Sequence, residues 1–207
     1  MEAEFTKLFS NAYRYIQFAV ANQFYMICES AGADYYKVMH GLTKDYPRAQ
    51  GLPRAGLAAG PCLFKDTMQL AAFYKNQFNL GHSAMLVNEG LPGFMVELLG
   101  REATKAGVEV KTVGLLGMAF KANNDDIRAS LSYKVKKLCA FEGMEVLATD
   151  PYVRTDKTLT PLDEVVARSD ALILCAPHSD YKALDVGNKL VIDIWNFWPD
   201  ALADQET

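Results

Sequence analysis

The second half of the chain alternates short β-rich runs with helical stretches, and this alternation limits the folds that it can adopt. Parallel strands need a long crossover between them, and a helix commonly supplies it. The sequence therefore predicts a Rossmann-like domain with a parallel sheet at 107–207. Four runs predict strands and two stretches predict helices: strands at 110–116, 144–149, 171–176 and 190–194, helices at 130–142 and 162–168.

The first half has the pattern of helices alone. Apolar residues follow the helical period over 5–31, and the glycine that comes next is a typical helix stop. A loop rich in Gly and Pro is expected at 41–61, because such residues interrupt regular structure. Pro61 suits the first turn of a second helix. A third, long helix is expected over about 83–105, so 1–106 is predicted to form an all-helical domain.

Charge and cysteine usage exclude several classes of protein. The net charge is −4, whereas a nucleic-acid binder usually has a basic face. No apolar run reaches the roughly 18 residues that span a bilayer, and the start does not resemble a signal peptide. The 4 cysteines form no CxxC pair, so neither a metal site nor a disulfide framework is expected. We therefore expect a cytoplasmic protein with reduced thiols and no membrane or nucleic-acid partner.

Cys62 is the first candidate for chemistry. It follows Gly60 and Pro61 where a helix is predicted to begin, and the positive end of a helix favours an anion such as a thiolate. Lys65 and Asp66 lie within one turn of it, and the three groups together suit covalent catalysis. The stretch alone is equally compatible with a buried cysteine beside a solvated Lys–Asp pair.

Lys7 and Asn11 form a second candidate pair. They lie one helical turn apart, so both side chains can converge on one ligand oxygen. Phe18 and Asn22 continue the same face of the predicted helix. Taken by itself, this pattern also describes an ordinary polar helix face.

The third candidate begins at Gly114 and follows the first predicted strand. It reads GxxGxAF, whereas a dinucleotide fingerprint reads GxGxxG. Asp150 also comes later than the acidic residue of that fingerprint, which follows by about 20 residues. A mononucleotide or a nucleotide sugar therefore suits the loop better than a dinucleotide. Lys121 and Arg128 are its candidate partners for phosphate or carboxylate.

In this order, the three stretches resemble the UDP-glucose/GDP-mannose dehydrogenase family, and the resemblance extends over nearly the whole chain. Four segments look like motifs of this family: 3–12 like "AE..K...N", 60–66 like "GG.C..KD", 114–130 like "GlaFK....D.R.S" and 149–152 like "yDP". Pro61 and Gln23 depart from the usual residues of the family.

The resemblance implies an enzyme of three parts, of which this chain is similar to two. These are a central helical dimerisation domain at 1–106 and a C-terminal nucleotide-sugar-binding domain at 107–207. The N-terminal NAD-binding domain is expected to be absent, whether the chain is an excised part or one half of a split enzyme. We therefore expect the chain to form a homodimer and to show no dehydrogenase activity alone.

The resemblance also implies a reaction, in which two NAD oxidise the sugar C6 alcohol to a carboxylate. Cys62 would form the thiohemiacetal and thioester intermediates. Lys7 and Asn11 match donors to the oxyanions, and Asp66 matches the carboxylate that orders water or assists proton transfer. Five other positions match substrate-binding residues: Lys65, Lys121, Arg128, Gly60 and Arg48. Arg48 would match an arginine that reaches the active site of the other subunit in the dimer, and Arg54 is a competing candidate for that role.

Two other hypotheses remain open from the sequence. The chain is alternatively a non-catalytic nucleotide-binding or dimerisation module. A third interpretation, an independent NAD-binding Rossmann protein, is disfavoured by the failed fingerprint. Neither the sugar nor the base follows from the residues, so UDP-glucose, UDP-N-acetylhexosamine and GDP-mannose are all candidates.

Overall fold

The computed structural model describes residues 1–198, which fall into two compact units. The first unit comprises Met1–Leu91 and the second begins at Pro92. The division falls within one long helix, which ends at Ala106.

The first unit is helical, as predicted. The expected helices are all present, and the second begins at Leu63 with Cys62 as its N-cap residue. No helix described between residues 1 and 198 is long and apolar enough to cross a bilayer. The helical elements up to residue 106 are α1 (Glu2–Ala31), α2 (Tyr35–Thr43), a 3-10 turn (Pro47–Ala49), α3 (Leu63–Phe73) and α4 (Asn79–Ala106).

Helix α2 was not predicted from the sequence. Its N-cap is Asp34, whose carboxylate accepts hydrogen bonds from the backbone N–H groups of Tyr36 and Lys37 at 2.8 and 3.0 Å. Such a cap satisfies donors that a helix start leaves unpaired. Gly41 lies inside this helix, so the loop that was expected to begin there starts only after Thr43.

The core of the first unit forms where α1, α4 and the segment before α3 meet. Tyr15 is fully buried and packs with Ala19, Ala58 and Ala84. Small residues at three of these four positions let the backbones approach closely around one large ring. The segment that leads to Cys62 is therefore part of the core rather than a surface loop.

The second unit contains the predicted parallel sheet. Its strands lie in the order β2-β1-β3-β4, and all three pairings are parallel. The crossover helices occupy the predicted places, so the α/β fold class is confirmed. The elements are β1 (Thr112–Leu116), α5 (Ser132–Phe141), β2 (Glu145–Thr149), α6 (Leu162–Arg168), β3 (Ala171–Leu174) and β4 (Leu190–Ile192).

The strand order creates a switch point between β1 and β3. The chain leaves β1 towards β2 on one side, and then returns to form β3 on the other side. The loops that follow β1 and β3 therefore diverge at the carboxyl edge of the sheet, where open α/β sheets bind ligands. Both faces of the sheet are covered, since every residue of β3 is buried.

Candidate functional site

Cys62 lies at the start of α3 with its side chain exposed. Its carbonyl oxygen accepts the backbone N–H of Asp66 at 2.9 Å, which closes the first turn of the helix. Gly60, two residues earlier, is buried and has a φ of 106°, a conformation that favours glycine. The backbone turn at Gly60 thus aims the chain so that Cys62 stands at the positive end of α3.

Asp66 and Asn11 are joined across two helices. The Asn11 side-chain amide on α1 donates to Oδ2 of Asp66 on α3 at 2.6 Å. Asp66 is only 3% exposed, so this hydrogen bond compensates for removing a carboxylate from water. The amide has two N–H groups, of which this bond uses one. The structure therefore brings two predicted site residues together and fixes their orientation.

An open cavity of about 480 Å³ lies between α1 and α3, beside this pair. Lys7, Lys65 and Asp66 all contribute to its wall, together with the rings of Phe5 and Phe73. Both lysines are exposed, while Asp66 is buried. Two ammonium groups at one wall attract anionic oxygens, and a buried carboxylate nearby can orient water. Three predicted residues thus line one space, and Asn11 is hydrogen-bonded to one of them, Asp66.

The two candidate arginines have different surroundings. Arg54 lies over the ring of Tyr36, with 5.6 Å between the guanidinium carbon and the ring centroid. Arg48 lies in the 3-10 turn with its side chain exposed. An arginine held on an aromatic ring is already positioned within its own chain. Arg48 is therefore the better candidate for reaching a ligand of another protomer.

In the second unit, Asp150 occupies the place where a dinucleotide would bind. It follows β2 directly, and its Oδ2 accepts the backbone N–H groups of Met118 and Ala119 at 2.7 and 2.9 Å. Burial opposes ionisation of Asp150, but hydrogen bonds from His178 and from backbone amides prevail and lower its pKa to about 2. A carboxylate therefore takes the backbone donors that follow β1, which a Rossmann fold offers to pyrophosphate.

His178 connects the loops that follow three different strands. Its Nδ1 accepts the backbone N–H of Asn123 at 2.9 Å, so Nε2 carries the proton and donates to Asp150 at 3.0 Å. Asn123 in turn accepts from both the backbone N–H and the hydroxyl of Ser179. The imidazole is fully buried, and the ring of Tyr152 lies 5.0 Å away.

The sequence analysis named Asp150 only as an acidic residue that comes too late for a dinucleotide fingerprint, and it assigned no role to His178. Their signal was positional, since each follows a predicted strand at the carboxyl edge. Asn123 adopts a φ of 53°, a conformation that asparagine tolerates better than most residues. These three residues, which we call the His178 latch, hold the carboxyl-edge loops in place.

The two predicted cations of the second unit differ in their availability. Arg128 forms a bidentate pair with Asp126, with Nη2–Oδ2 and Nε–Oδ1 distances of 2.7 and 3.0 Å. This pairing lowers the pKa of Asp126. Lys121 is exposed, and its ammonium lies 5.4 Å from the centroid of the neighbouring Phe120 ring. Lys121 is therefore the stronger candidate for a phosphate contact. Within 1–198, no group of three or more acidic, His or Cys side chains is arranged to hold a metal.

Sequence profiles of two domains match the chain, and both describe one family. The profile "UDP-glucose/GDP-mannose dehydrogenase family, central domain" matches residues 1–90. The profile "UDP-glucose/GDP-mannose dehydrogenase family, UDP binding domain" matches residues 114–200. Together they extend over both compact units, in the order that the sequence motifs predicted.

The individual proteins that the chain resembles are named as dehydrogenases of UDP sugars. The UDP-N-acetyl-D-mannosamine dehydrogenase of Pyrococcus horikoshii is 31% identical over 92% of this chain and 47% of its own length. The solved structure of that organism's enzyme has a TM-score of 0.83 at 30% identity, over 95% of this chain and 48% of that one. A UDP-glucose dehydrogenase structure from Pyrobaculum islandicum has a TM-score of 0.78 at 27% identity, over 93% and 47%. The chain thus spans about half the length of the curated relatives that it matches.

Proposed function

Because this chain belongs to the UDP-glucose/GDP-mannose dehydrogenase family, we propose that it forms the covalent-catalysis and nucleotide-binding parts of a nucleotide-sugar 6-dehydrogenase. The reaction converts the sugar C6 alcohol into a carboxylate. One observation carries this proposal. Lys7, Lys65 and Asp66 line one cavity, Asn11 donates a hydrogen bond to Asp66, and the exposed thiol of Cys62 stands one helical turn before Asp66.

The proposed substrate is a hexose linked to UDP. The profile that matches 114–200 describes a UDP-binding domain, and the names of the similar proteins contain UDP-N-acetyl-D-mannosamine and UDP-glucose. Lys121 is the proposed phosphate partner in this unit, because an exposed ammonium forms charge-assisted hydrogen bonds with phosphate oxygens. UDP-N-acetyl-D-mannosamine is the first substrate to try.

Cys62 is the proposed nucleophile. Its thiolate adds to the C6 aldehyde that the first oxidation produces, which forms an S–C bond and moves the carbonyl electron pair to oxygen. Loss of a hydride from the thiohemiacetal carbon, which a nicotinamide cofactor held outside the described residues would accept, and of the hydroxyl proton would leave a thioester. Water then attacks the thioester carbon, the C–S bond breaks, and the acid is released with the thiolate restored. Lys7 and Asn11 are the proposed donors to the oxyanions, and Asp66 the proposed group that orients the water.

NAD, which the resemblance implies, does not fit the described residues of the second unit. The backbone amides of Met118 and Ala119 are occupied by Asp150, and the loop lacks the dinucleotide fingerprint. Hydride transfer to NAD is therefore assigned to none of these residues. The chemistry proposed for this chain is the covalent capture and hydrolytic release of the sugar.

The proposed assembly is a homodimer, supported by an exposed apolar stripe on α1. Large residues of α4 such as Leu91, Met95 and Leu99 are buried within the chain. On α1, large apolar side chains spaced at helical intervals stay exposed, and a second copy can cover them. They are Phe9, Tyr13, Val20, Phe24 and Ile27. Arg48 is the residue that we propose contributes to the active site of the partner subunit.

A second candidate is a nucleotide-binding and dimerisation module that has no turnover of its own. One observation favours it: the backbone amides of Met118 and Ala119 are occupied by Asp150, so the described residues do not fit NAD. Under both proposals the chain alone reduces no NAD. Appearance of NADH from NAD and a UDP sugar with this chain alone would contradict both.

Isothermal titration with UDP, UDP-N-acetyl-D-mannosamine, UDP-glucose and GDP-mannose tests the proposed function. We expect the UDP compounds to bind and GDP-mannose to bind more weakly or not at all. Absence of binding by every compound would exclude both a UDP-sugar dehydrogenase and a UDP-binding module. A covalent adduct at Cys62 with the sugar 6-aldehyde then separates the two, because only the catalytic interpretation requires it.

A further inference from the structure

The segment that leads to Cys62 is buried without belonging to a helix or a strand. Residues 52–59 lack regular secondary structure, yet Ala55, Gly56, Leu57 and Ala58 are buried. Buried backbone N–H and C=O groups need partners, and here a regular ladder of backbone bonds does not supply them. Some side chain must therefore pair with this backbone.

Asn22 on α1 supplies that pairing. Its Oδ1 accepts the backbone N–H of Gly56 at 2.8 Å, and its Nδ2 donates to the carbonyl oxygen of Gly56 at 3.0 Å. One side-chain amide thus satisfies both polar groups of one peptide residue. Asn22 is fully buried and also donates to Oδ1 of Asn88, whose own Nδ2 donates to the carbonyl oxygen of Tyr15. The orientation of the Asn22 amide is fixed from every side.

Helix α1 therefore holds the Cys62 segment at two points. Asn22 binds Gly56 before the thiol, and Asn11 binds Asp66 after it. The two asparagines lie about three turns apart on α1, which places them on the same face of the helix. A rigid helix that contacts both ends of a short segment sets the position of whatever lies between them.

We propose that Asn22 is a positioning residue for the Cys62 thiol, acting through the backbone of Gly56. The proposal rests on the proposed function only in that Cys62 is the reactive thiol. Loss of the Asn22 amide leaves two buried backbone groups unpaired, so the segment shifts to satisfy them. The start of α3 moves with it, and the thiol loses its place at the positive end of that helix.

Competitive alkylation with iodoacetamide at neutral pH tests this, with Cys62 and Cys28 quantified separately by peptide mass spectrometry. Cys28 lies on α1, beyond Asn22, and serves as the internal reference thiol. In Asn22→Ala we expect the Cys62 to Cys28 rate ratio to fall about threefold, the size of a lost helix-end interaction. Met85→Ala is the matched control, because it truncates an apolar side chain of the same core without touching the amides.

Each outcome decides the proposal. An unchanged ratio in folded Asn22→Ala, or an equal fall in Met85→Ala, overturns it. If Asn22→Ala does not fold, Asn88→Ser replaces it, since that change removes the support of the Asn22 amide but keeps its bonds to Gly56. A smaller fall in the ratio is expected there, and no fall overturns the proposal. The readout needs no sugar, so a chain that binds no nucleotide sugar refutes the proposed function and leaves this result intact.

Discussion

The side-chain amide of Asn11 lies 2.6 Å from Oδ2 of Asp66 and joins the first helix to the helix that begins after Cys62. The two residues are separated by 55 positions in the sequence. Their contact brings together two motifs that are weak evidence individually, and Asp66 also lines the cavity between the two helices.

Breaking this contact should destabilise the first unit. Asn11→Ala leaves a buried carboxylate without this donor, and hydrogen bonds to charged groups contribute about 2 kcal/mol. We expect the free energy of unfolding in urea to fall by about that amount. In the background of Asp66→Asn the same change should cost clearly less, since the two residues are coupled. Equal losses in both backgrounds would show that the pair does not interact.

Cys62 should form a covalent adduct with the aldehyde intermediate. A UDP-hexose 6-aldehyde labelled with ¹³C at C6 is expected to give a thiohemiacetal resonance with the wild-type chain. Cys62→Ser should abolish this resonance, whereas Cys28→Ser should keep it. A resonance that persists in Cys62→Ser would identify another nucleophile.

Gly60→Ala should disturb the turn that precedes the thiol. Its φ of 106° strains any residue with a Cβ, so we expect a loss of about 1–3 kcal/mol in unfolding free energy. Gly41→Ala is the matched control. It lies within α2 with open space around it, and there alanine should stabilise the chain by about 0.5–1 kcal/mol. Urea unfolding of both variants distinguishes local strain from a general intolerance of alanine.

Asp150 should give the second unit a defined acid sensitivity. Its pKa is about 2 in the folded chain and near the ordinary 3.8 when unfolded. Because the folded value is depressed, the ionised carboxylate adds about 2 kcal/mol above roughly pH 4, and this is lost as the pH falls towards 2. The difference in unfolding free energy between the wild type and Asp150→Asn should therefore shrink over that interval. A difference that stays constant from pH 6 to pH 2 would contradict the assignment.

Lys121 should contribute to nucleotide affinity. We expect Lys121→Ala to weaken UDP binding about tenfold, in line with the loss of one charge-assisted hydrogen bond. The effect should diminish at high salt, because the contact is exposed and screened. Lys137→Ala on α5 removes the same charge from an exposed place away from the carboxyl edge and should leave affinity unchanged. Calorimetry of both variants decides whether UDP affinity depends on the position of the lysine or only on the net charge of the chain.

The sequence predicted the elements better than their contacts. The strands from Thr112 to Ile192 were foreseen because buried parallel strands are short apolar runs between turn residues. Helix α2 was missed because its cap at Asp34 depends on local geometry, and Gly41 argued for a loop. The crossing of α1 and α3 was not predictable, because helical periodicity does not say which helix a face will meet.

In the candidate site, too, individual residues were predictable from the sequence, whereas the contacts between them were not. Cys62, Lys7 and Lys65 were found by residue type and spacing along one turn. Asn22 was seen only as a member of a helix face, and its pairing with Gly56 depends on how an irregular segment folds back. His178 and Asp150 meet only because β2 and β3 end at the same edge of the sheet. Contacts of this kind depend on topology rather than on local sequence.

The His178 latch also constrains how the second unit can be altered. Three loops depend on one neutral imidazole, so a change in the length of any of them has to preserve the geometry of the other two. Asn123, Asp150 and His178 are therefore structurally interdependent, although they are far apart in the sequence. An engineer who grafts the loop after β1 from a relative, to change the sugar or the base, must transplant all three residues together.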